Sequence, residues 1–214
     1  HRSGQPLKDQ ITALLLHQTD APPREILLCD NGGNAWLGSY VAALRPLPEG
    51  VFIRIIDADT HPGASFARNR GINEASADKL AFCDDDDLVH PDWCRLAYEF
   101  LDDFPVVTGG VVVKEDTQLT GKSLAEKLEM LVAETVPVPP RPAGRGSMGP
   151  ALMGGNFAAR RDVLLAVGGF DAALVRGGED NDLAFRLDRA SVPITDCGAM
   201  SIIYSRPSAW RDRV

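Results

Sequence analysis

In the first half of the chain, short apolar runs alternate with stretches of helical periodicity, and this rhythm limits the fold more than any other property of the sequence. Leu7, Ile11, Leu14 and Leu15 recur at the spacing of one helix face, with Pro6 near the first turn. Residues 25–29 then read as a short strand and residues 30–34 as a turn. Trp36, Leu37, Tyr40, Val41 and Leu44 mark a second helix, Pro46 and Pro48 break it, and β-branched residues return at 51–56. Ser65 is placed to cap a third helix running to Ala77. Residues 79–83 form the next strand, and Pro91 starts a fourth helix through Phe104. Such an order is met by an α/β fold, a Rossmann-like, mostly parallel sheet flanked by helices.

After Phe104 the rhythm loosens. Residues 106–113 read as a strand interrupted by Gly109-Gly110, and residues 123–134 as a helix. Residues 136–150 are too rich in Pro and Gly for either, and read as a mobile loop. A block at 153–159, a short helix from Arg161, the turn Gly168-Gly169-Phe170-Asp171 and a helix at 179–189 complete the chain, with no internal repeat. With 214 residues and 44% hydrophobic content, one sizeable domain over 1–214 is expected, since two would be cramped.

Charge and cysteine usage narrow the function. A net charge of −8, from 22 basic and 30 acidic residues, argues against a nucleic-acid partner. A polyanionic ligand would need a metal, or the arginines, which outnumber the lysines and suit bidentate phosphate contacts. Cys29, Cys83, Cys94 and Cys197 lack zinc-type spacing and read as buried free thiols, which points to a cytoplasmic location, with a peripheral place on the inner membrane face open to it. No apolar run approaches the roughly 18 residues of a membrane span, and no signal peptide is evident; the abrupt start at His1 leaves room for a missing segment before it.

Four consecutive aspartates, Asp84 to Asp87, follow directly on the strand at 79–83. Like charges packed side by side are relieved most simply by a divalent cation with hard oxygen ligands. Ligands in open α/β sheets collect at the carboxyl ends of strands, where these side chains emerge. The bland alternative is a solvated acidic face before a helix. An EF-hand loop is excluded, because counting from Asp84 puts Val89 at the glycine position and Arg95 at the bidentate glutamate position. A second acidic group, Gly177-Gly178-Glu179-Asp180-Asn181-Asp182, opens a later helix, where acids also suit the macrodipole. Two such sites together fit a division of labour, one holding a metal and the other supplying a general base.

The segments Ala67-Arg68-Asn69-Arg70-Gly71, Leu80 to Asp87, Gly168-Gly169-Phe170-Asp171 and Gly178 to Leu183 resemble, in order and spacing, the motifs of family 2 glycosyltransferases of the GT-A fold. Leu14 to Asn34, with Gln18-Thr19, is similar to that family's opening region. The resemblance implies a GT-A type fold with a smaller acceptor-side region: 1–113 as the nucleotide-sugar-binding part and 114–214 as the acceptor and catalytic-base part. It implies a nucleotide-diphosphate sugar donor, UDP on family frequency, and Mg²⁺ or Mn²⁺ held by an Asp-x-Asp element on Asp84 and Asp86. Asp86 is the first choice for the metal and Asp84 lies near the ribose or the metal. Asp85 and Asp87 are supporting charges, with Asp85 counted among the nucleotide-binding set.

By motif position the resemblance gives Asp180 the base's role, deprotonating an acceptor hydroxyl as that hydroxyl attacks the anomeric carbon from the face opposite the leaving group, with inversion, and Glu179 is the alternative base. Arg68 is a candidate contact to nucleotide or diphosphate. Asp30-Asn31 stands where many members carry Asp-Asp, leaving Asn31 able to meet a base edge. The late-strand histidine is absent, which leaves Arg206 as a diphosphate candidate, and the family's first strand would precede His1. Asn156 is expected to pin a turn, Trp36 and Trp93 to pack in the core, and Trp210 to face acceptor or solvent. The acceptor, whether saccharide, lipid-linked or small molecule, is not readable. Two rivals remain: a haloacid-dehalogenase-type phosphatase built on Asp84-x-Asp86, disfavoured by Leu88, and a catalytically silent nucleotide-binding domain.

Overall fold

In the computed structural model, which describes residues 4–20, 22–146 and 149–206, the first half folds in the order that the apolar periodicity dictates. Helix α1 (Gln5–Leu16) has a proline in its first turn and buries Ile11, Ala13, Leu14 and Leu15. It is followed by β1 (Glu25–Asp30), α2 (Ala35–Ala43), β2 (Phe52–Asp57), α3 (Ala64–Glu74) and β3 (Lys79–Cys83). Helix α3 departs from expectation at both ends. Gly63, at φ 108°, is its N-cap, Ser65 lies inside the first turn, and Ala75 is already extended. A two-residue strand, β4 (Leu88–Val89), separates the aspartates from α4 (Trp93–Asp103), which begins after Pro91 with Asp92 as N-cap.

Strand β5 (Val106–Glu115) runs unbroken through Gly109 and Gly110, and α5 (Asp116–Leu119) is a single turn. Helix α6 (Leu124–Glu134) starts at a capping box in which Ser123 and Glu126 satisfy each other's backbone N–H groups. The region read as a mobile loop carries β6 (Arg141–Pro142), β7 (Arg145–Gly146) and β8 (Gly149–Pro150). It is tied down. Arg141 pairs with Asp196 at 2.9 Å, Arg145 makes two bonds to Asp188 at 2.7 and 2.9 Å, and the Ala143 N–H donates to the Ile194 carbonyl oxygen. The chain ends in β9 (Asn156–Arg160), α7 (Arg161–Ala166), α8 (Glu179–Arg189) and β10 (Ile194–Arg206).

The main sheet has the order β3-β9-β5-β10-β4, with β6 added to β10, while β1 and β2 pair with each other. The two longest ladders, β5–β10 and β1–β2, are parallel, and β9 runs antiparallel to both β3 and β5. Helices flank the strands, as the α/β expectation required. Among the described residues no strand joins β1 to β3.

β10 bulges between Cys197 and Ile202 against β5, and the two glycines permit it. A Cβ at Gly109 would stand 2.1 Å from the Met200 carbonyl oxygen, and one at Gly110 2.2 Å from that of Gly198. Fully buried Asn156 locks the junction: its Nδ2 donates to Gly110 and Met200 carbonyl oxygens, and its Oδ1 accepts from Trp93 Nε1 at 2.7 Å. It pins backbone, as expected.

One core cluster joins Ile11 and Ile53 to Leu101, Leu131 and Ile202, drawing on both halves of the sequence. A second lies beneath α7 and α8, where Phe82 and Phe157 stack 4.4 Å apart with Phe170 edge-on. Trp93 is buried, but Trp36 is 37% exposed, resting on Tyr40 and the Lys8 ammonium instead of entering the core. Trp210 lies outside the described residues. The four cysteines are free; burial pushes the Cys29 thiol up to about 11 and those of Cys83 and Cys197 to about 12, so they are protonated and unreactive near neutral pH. Among the described residues no helix is long and apolar enough to cross a membrane.

Candidate active site

Helix α3 organises the site with one face. Ser65, Arg68, Asn69 and Ile72 recur at the spacing that brings residues to the same side of a helix. Each meets a segment from the far end of the sequence. The Ser65 hydroxyl donates to the Leu174 carbonyl oxygen. Asn69 Nδ2 donates to the Phe170 carbonyl oxygen at 2.7 Å while its Oδ1 accepts from the Phe170 N–H at 2.8 Å. Arg161 donates to the carbonyl oxygens of Ile72 and Asn73. Gly169 has to be glycine: its φ is 66°, and a Cβ there would lie 2.5 Å from Asn69 Oδ1.

Arg68 takes the central place on that face. Its Nη2 bonds Asp84 Oδ1 at 2.8 Å and its Nη1 bonds Glu179 Oε1 at 2.9 Å, a contact across 111 residues of sequence. The guanidinium lies 5.4 Å from the Phe170 ring centroid, and its side chain is 12% exposed. The two acidic motifs therefore meet at one cation.

The four aspartates diverge once the strand ends. Asp84 is half-exposed beside Arg68, Asp85 is exposed, Asp86 is half-buried, and Asp87 is buried at 3% exposure. A long contact of 3.5 Å from the Asp87 N–H to the Asp84 carbonyl oxygen closes the turn. The burial of Asp87 was not foreseen. Gly154 and Gly155 keep the space beside the run clear: a Cβ at Gly155 would stand 2.6 Å from Asp84 Oδ2, and one at Gly154 3.3 Å from Arg68 Nη1.

Helix α8 enters through Gly177 and Gly178, both at positive φ, with Gly178 as an N-cap that offers no side chain. Its first two acids have different partners. Glu179 is 14% exposed and held by Arg68, whereas Asp180 Oδ2 faces the Gly154 N–H at 3.5 Å and its Oδ1 accepts from the Asn181 N–H at 2.8 Å.

At the end of β1, Asp30 accepts from the N–H groups of Gly32 and Asn34 and from Asn34 Nδ2. Burial works to raise its pKa, and these hydrogen bonds together outweigh it and hold the carboxyl below the usual range. Asn31 clamps the loop after β2: its Nδ2 donates to the carbonyl oxygens of Ala58 and His61, and its Oδ1 accepts from the Gly63 N–H. Both of its amide groups are engaged there, so a contact to a base edge would compete with that clamp. Asp57 and Asp59, at the end of β2, were missed although they follow an apolar strand just as Asp84 does; Asp59 is pushed up by its hydrogen bond to Asp57 and by that residue's charge. Arg206 pairs with Glu115 at 3.6 Å on the β5–β10 ladder.

Among the described residues no three acidic, histidine or cysteine side chains are grouped to hold a metal by themselves. The donors at the end of β3 nevertheless suit Mg²⁺ or Mn²⁺. Such ions commonly take one or two carboxylates and complete their shell with substrate phosphates and water, and Asp84 and Asp86 offer hard oxygens of that kind.

Comparison with known proteins gives the family and the fold. A model of glycosyl transferase family 2 matches residues 4–167, which takes in the aspartate run and stops before α8. A glucosyl-dolichyl phosphate glucuronosyltransferase of Haloferax volcanii is 29% identical over 129 residues, 56% of this chain and 38% of that protein. Among solved structures, a mannosyltransferase of Pyrobaculum calidifontis in complex with GDP-Man and Mn²⁺ superposes with a TM-score of 0.66 at 17% identity, over 98% of this chain and 56% of its own. TarS of S. aureus in complex with UDP-GlcNAc gives 0.64 at 13% identity, over 95% and 55%. The chain thus spans little more than half the length of these structures and less of the curated relative. The likeness to the structures shows a shared GT-A fold, and the family match shows that this chain belongs to glycosyl transferase family 2.

Proposed function

We propose that this chain transfers a sugar from a nucleotide-diphosphate donor to an acceptor hydroxyl, with inversion and with the help of a divalent cation. The observation that carries the reading is the Arg68 bridge, because it brings the acidic strand end and the acidic helix start to one crevice. Neighbours solved with GDP-Man and Mn²⁺ or with UDP-GlcNAc support a nucleotide-sugar donor, and UDP is the nucleotide proposed. Asp84 and Asp86 are proposed to hold Mg²⁺ or Mn²⁺, which when bound would offset the negative charge that gathers on a departing diphosphate. Asp30 and Asp85 are assigned to the nucleotide side of the crevice.

Asp180 is assigned as the base. Its Oδ2 faces the Gly154 N–H at a long 3.5 Å and takes no hydrogen bond from Arg68, whose two terminal nitrogens go to Asp84 and Glu179, so it is assigned to accept a proton from a hydroxyl. The acceptor class follows by analogy with the glucuronosyltransferase, whose name gives a lipid-linked substrate, and a lipid-phosphate-linked sugar is the acceptor to try first.

A binding panel of UDP-glucose, UDP-GlcNAc, UDP-glucuronate and GDP-mannose with and without Mn²⁺ tests class, donor and metal dependence together. Saturable, Mn²⁺-dependent binding of one donor is expected. Steady phosphate release from a phosphomonoester, with no donor bound, would replace this reading by a phosphatase. Asp180→Asn should lower transfer by about 10²- to 10⁴-fold, the usual worth of a general base, while donor binding stays within a factor of two or three. Unchanged transfer would remove the base assignment.

A further inference from the structure

We propose that Arg68 and Glu179 form a positioning clasp: one guanidinium fixes the start of α8 to the end of β3, and Glu179 is a tether that aims Asp180 rather than a base. The inference deepens the transferase reading and rests on it for its kinetic consequences. Its structural basis is independent of any ligand.

Three observations carry it. First, the first turn of α8 has few ties ahead of its buried residues: besides the clasp, Asp180 Oδ2 meets the Gly154 N–H at a long 3.5 Å, and Leu183 and Ala184 enter the core only a turn later. Gly178 provides no side-chain cap, Gly177 and Gly178 sit at φ 108° and 87°, and a Cβ built on either would meet nothing within 4 Å. A turn of that kind has room to swing. Second, the Glu179 arm of the clasp is sheltered, with Arg68 and Glu179 at 12% and 14% side-chain exposure and the Phe170 ring beside the guanidinium, while the Asp84 arm is open on its carboxylate side. Exposed ion pairs hold geometry poorly; sheltered ones with two directed hydrogen bonds hold it well. Third, the neighbours leave the guanidinium little freedom. A Cβ at Gly154 would stand 3.3 Å from Nη1 and one at Gly155 2.6 Å from Asp84 Oδ2, so both partners are seated against glycine backbone.

The consequence for chemistry lies in adjacency. Glu179 and Asp180 are neighbours in one helical turn, so fixing the first fixes the direction of the second, whose Oδ2 then faces Gly154. Removing the arginine would leave Asp84 and Glu179 as two carboxylates across a vacated gap. Their repulsion would act on the turn at Gly177-Gly178, the part with least to resist it. Displacement of a catalytic group by about 1 Å is enough to cost on the order of 10²-fold in rate, which sets the effect to look for.

The test uses Arg68→Met, Arg68→Lys, Glu179→Gln and the double variant Arg68→Met/Glu179→Gln in the full chain, with two readouts. Hydrogen exchange is measured over residues 177–183 without ligand, and kcat and donor KM are measured with the donor selected by the panel. Expected are faster exchange over 177–183 in Arg68→Met and in Glu179→Gln, a kcat lowered about 10²-fold with donor KM changed less than about threefold, and a double variant no worse than the single ones. Arg68→Lys should recover part of the kcat. A raised donor KM with kcat unchanged would overturn the proposal and make Arg68 a diphosphate contact. Additive losses in the double variant, or unchanged exchange over 177–183, would overturn it too. Should the wild-type chain transfer no sugar, the transferase reading falls while the exchange experiment still decides the clasp.

Discussion

A methyl group added at Gly155 would stand 2.6 Å from Asp84 Oδ2, closer than any real Cβ contact, and nothing about Gly155 in isolation discloses that. Gly155→Ala is therefore expected to push the Asp84 carboxylate aside and weaken UDP–Mn²⁺ binding about tenfold, as loss of support around a metal ligand typically does. Calorimetric titration of UDP with and without Mn²⁺ checks it, and unchanged affinity would remove Asp84 from the binding set. At this scale the sequence exposed residue types but not their partners. Asp84 and Asp180 were legible as candidates because four acids at a strand end are hard to explain structurally, and a second acidic group at a helix start, unremarkable alone, gains meaning beside the first. The partnership of Arg68 with both motifs was not, since it depends on how α3 packs against segments remote in sequence. Asn31 shows the same limit: a side chain able to read a base edge is equally able to clamp a loop, and its bonds to His61 and Gly63 could not be read from the residue type.

Among the elements, those with a periodicity of their own were readable, and those made by a partner were not. The helices α6 and α8 announce themselves by the Ser123–Glu126 capping box and by the glycines before Glu179. Strands β4 and β6 have two residues each and exist because β10 lies beside them, so no local pattern encodes them. The segment 136–150 looked mobile for its prolines and glycines, whereas among its described residues Arg141 and Arg145 anchor it to Asp196 and Asp188. Replacing both arginines with alanine should speed hydrogen exchange across 141–146 while moving the unfolding midpoint little, because exposed ion pairs of this kind contribute little to stability. Equal exchange in variant and wild type would mean that the backbone pairing of β6 with β10 and the bond from Ala143 to Ile194 hold the segment without the arginines.

For the whole molecule, acid should be destabilising in two stages. His90 is buried, and burial lowers its pKa beyond what nearby Asp92 restores; its Nδ1 accepts from the Asp92 N–H, which requires the neutral ring. The unfolded chain then takes up the proton first, so stability falls as pH drops below the ordinary histidine value of about 6.5. Glu126, Asp188 and Asp30 have folded pKa values held below their ordinary ones, and the stability they contribute is lost further down, as pH falls through those lowered values. Urea unfolding across pH 7 to 2 should show both stages, and His90→Asn should flatten the upper one. A midpoint that stays constant from pH 7 to 5.5 in the wild-type chain would contradict the burial argument.

The single face of α3, with Ser65, Arg68 and Asn69 each gripping residues beyond 169, also says how the chain would behave if cut. The Thr120-Gly121 turn lies exposed between α5 and α6, a suitable place for a nick. The amino-terminal piece would keep the aspartates and the carboxy-terminal piece the glycine-led helix, yet β10 would still be owed its ladder with β5 and the 168–170 turn its partner in Asn69. Two such fragments, mixed, are expected to reassemble by complementation, and neither alone should carry a folded half.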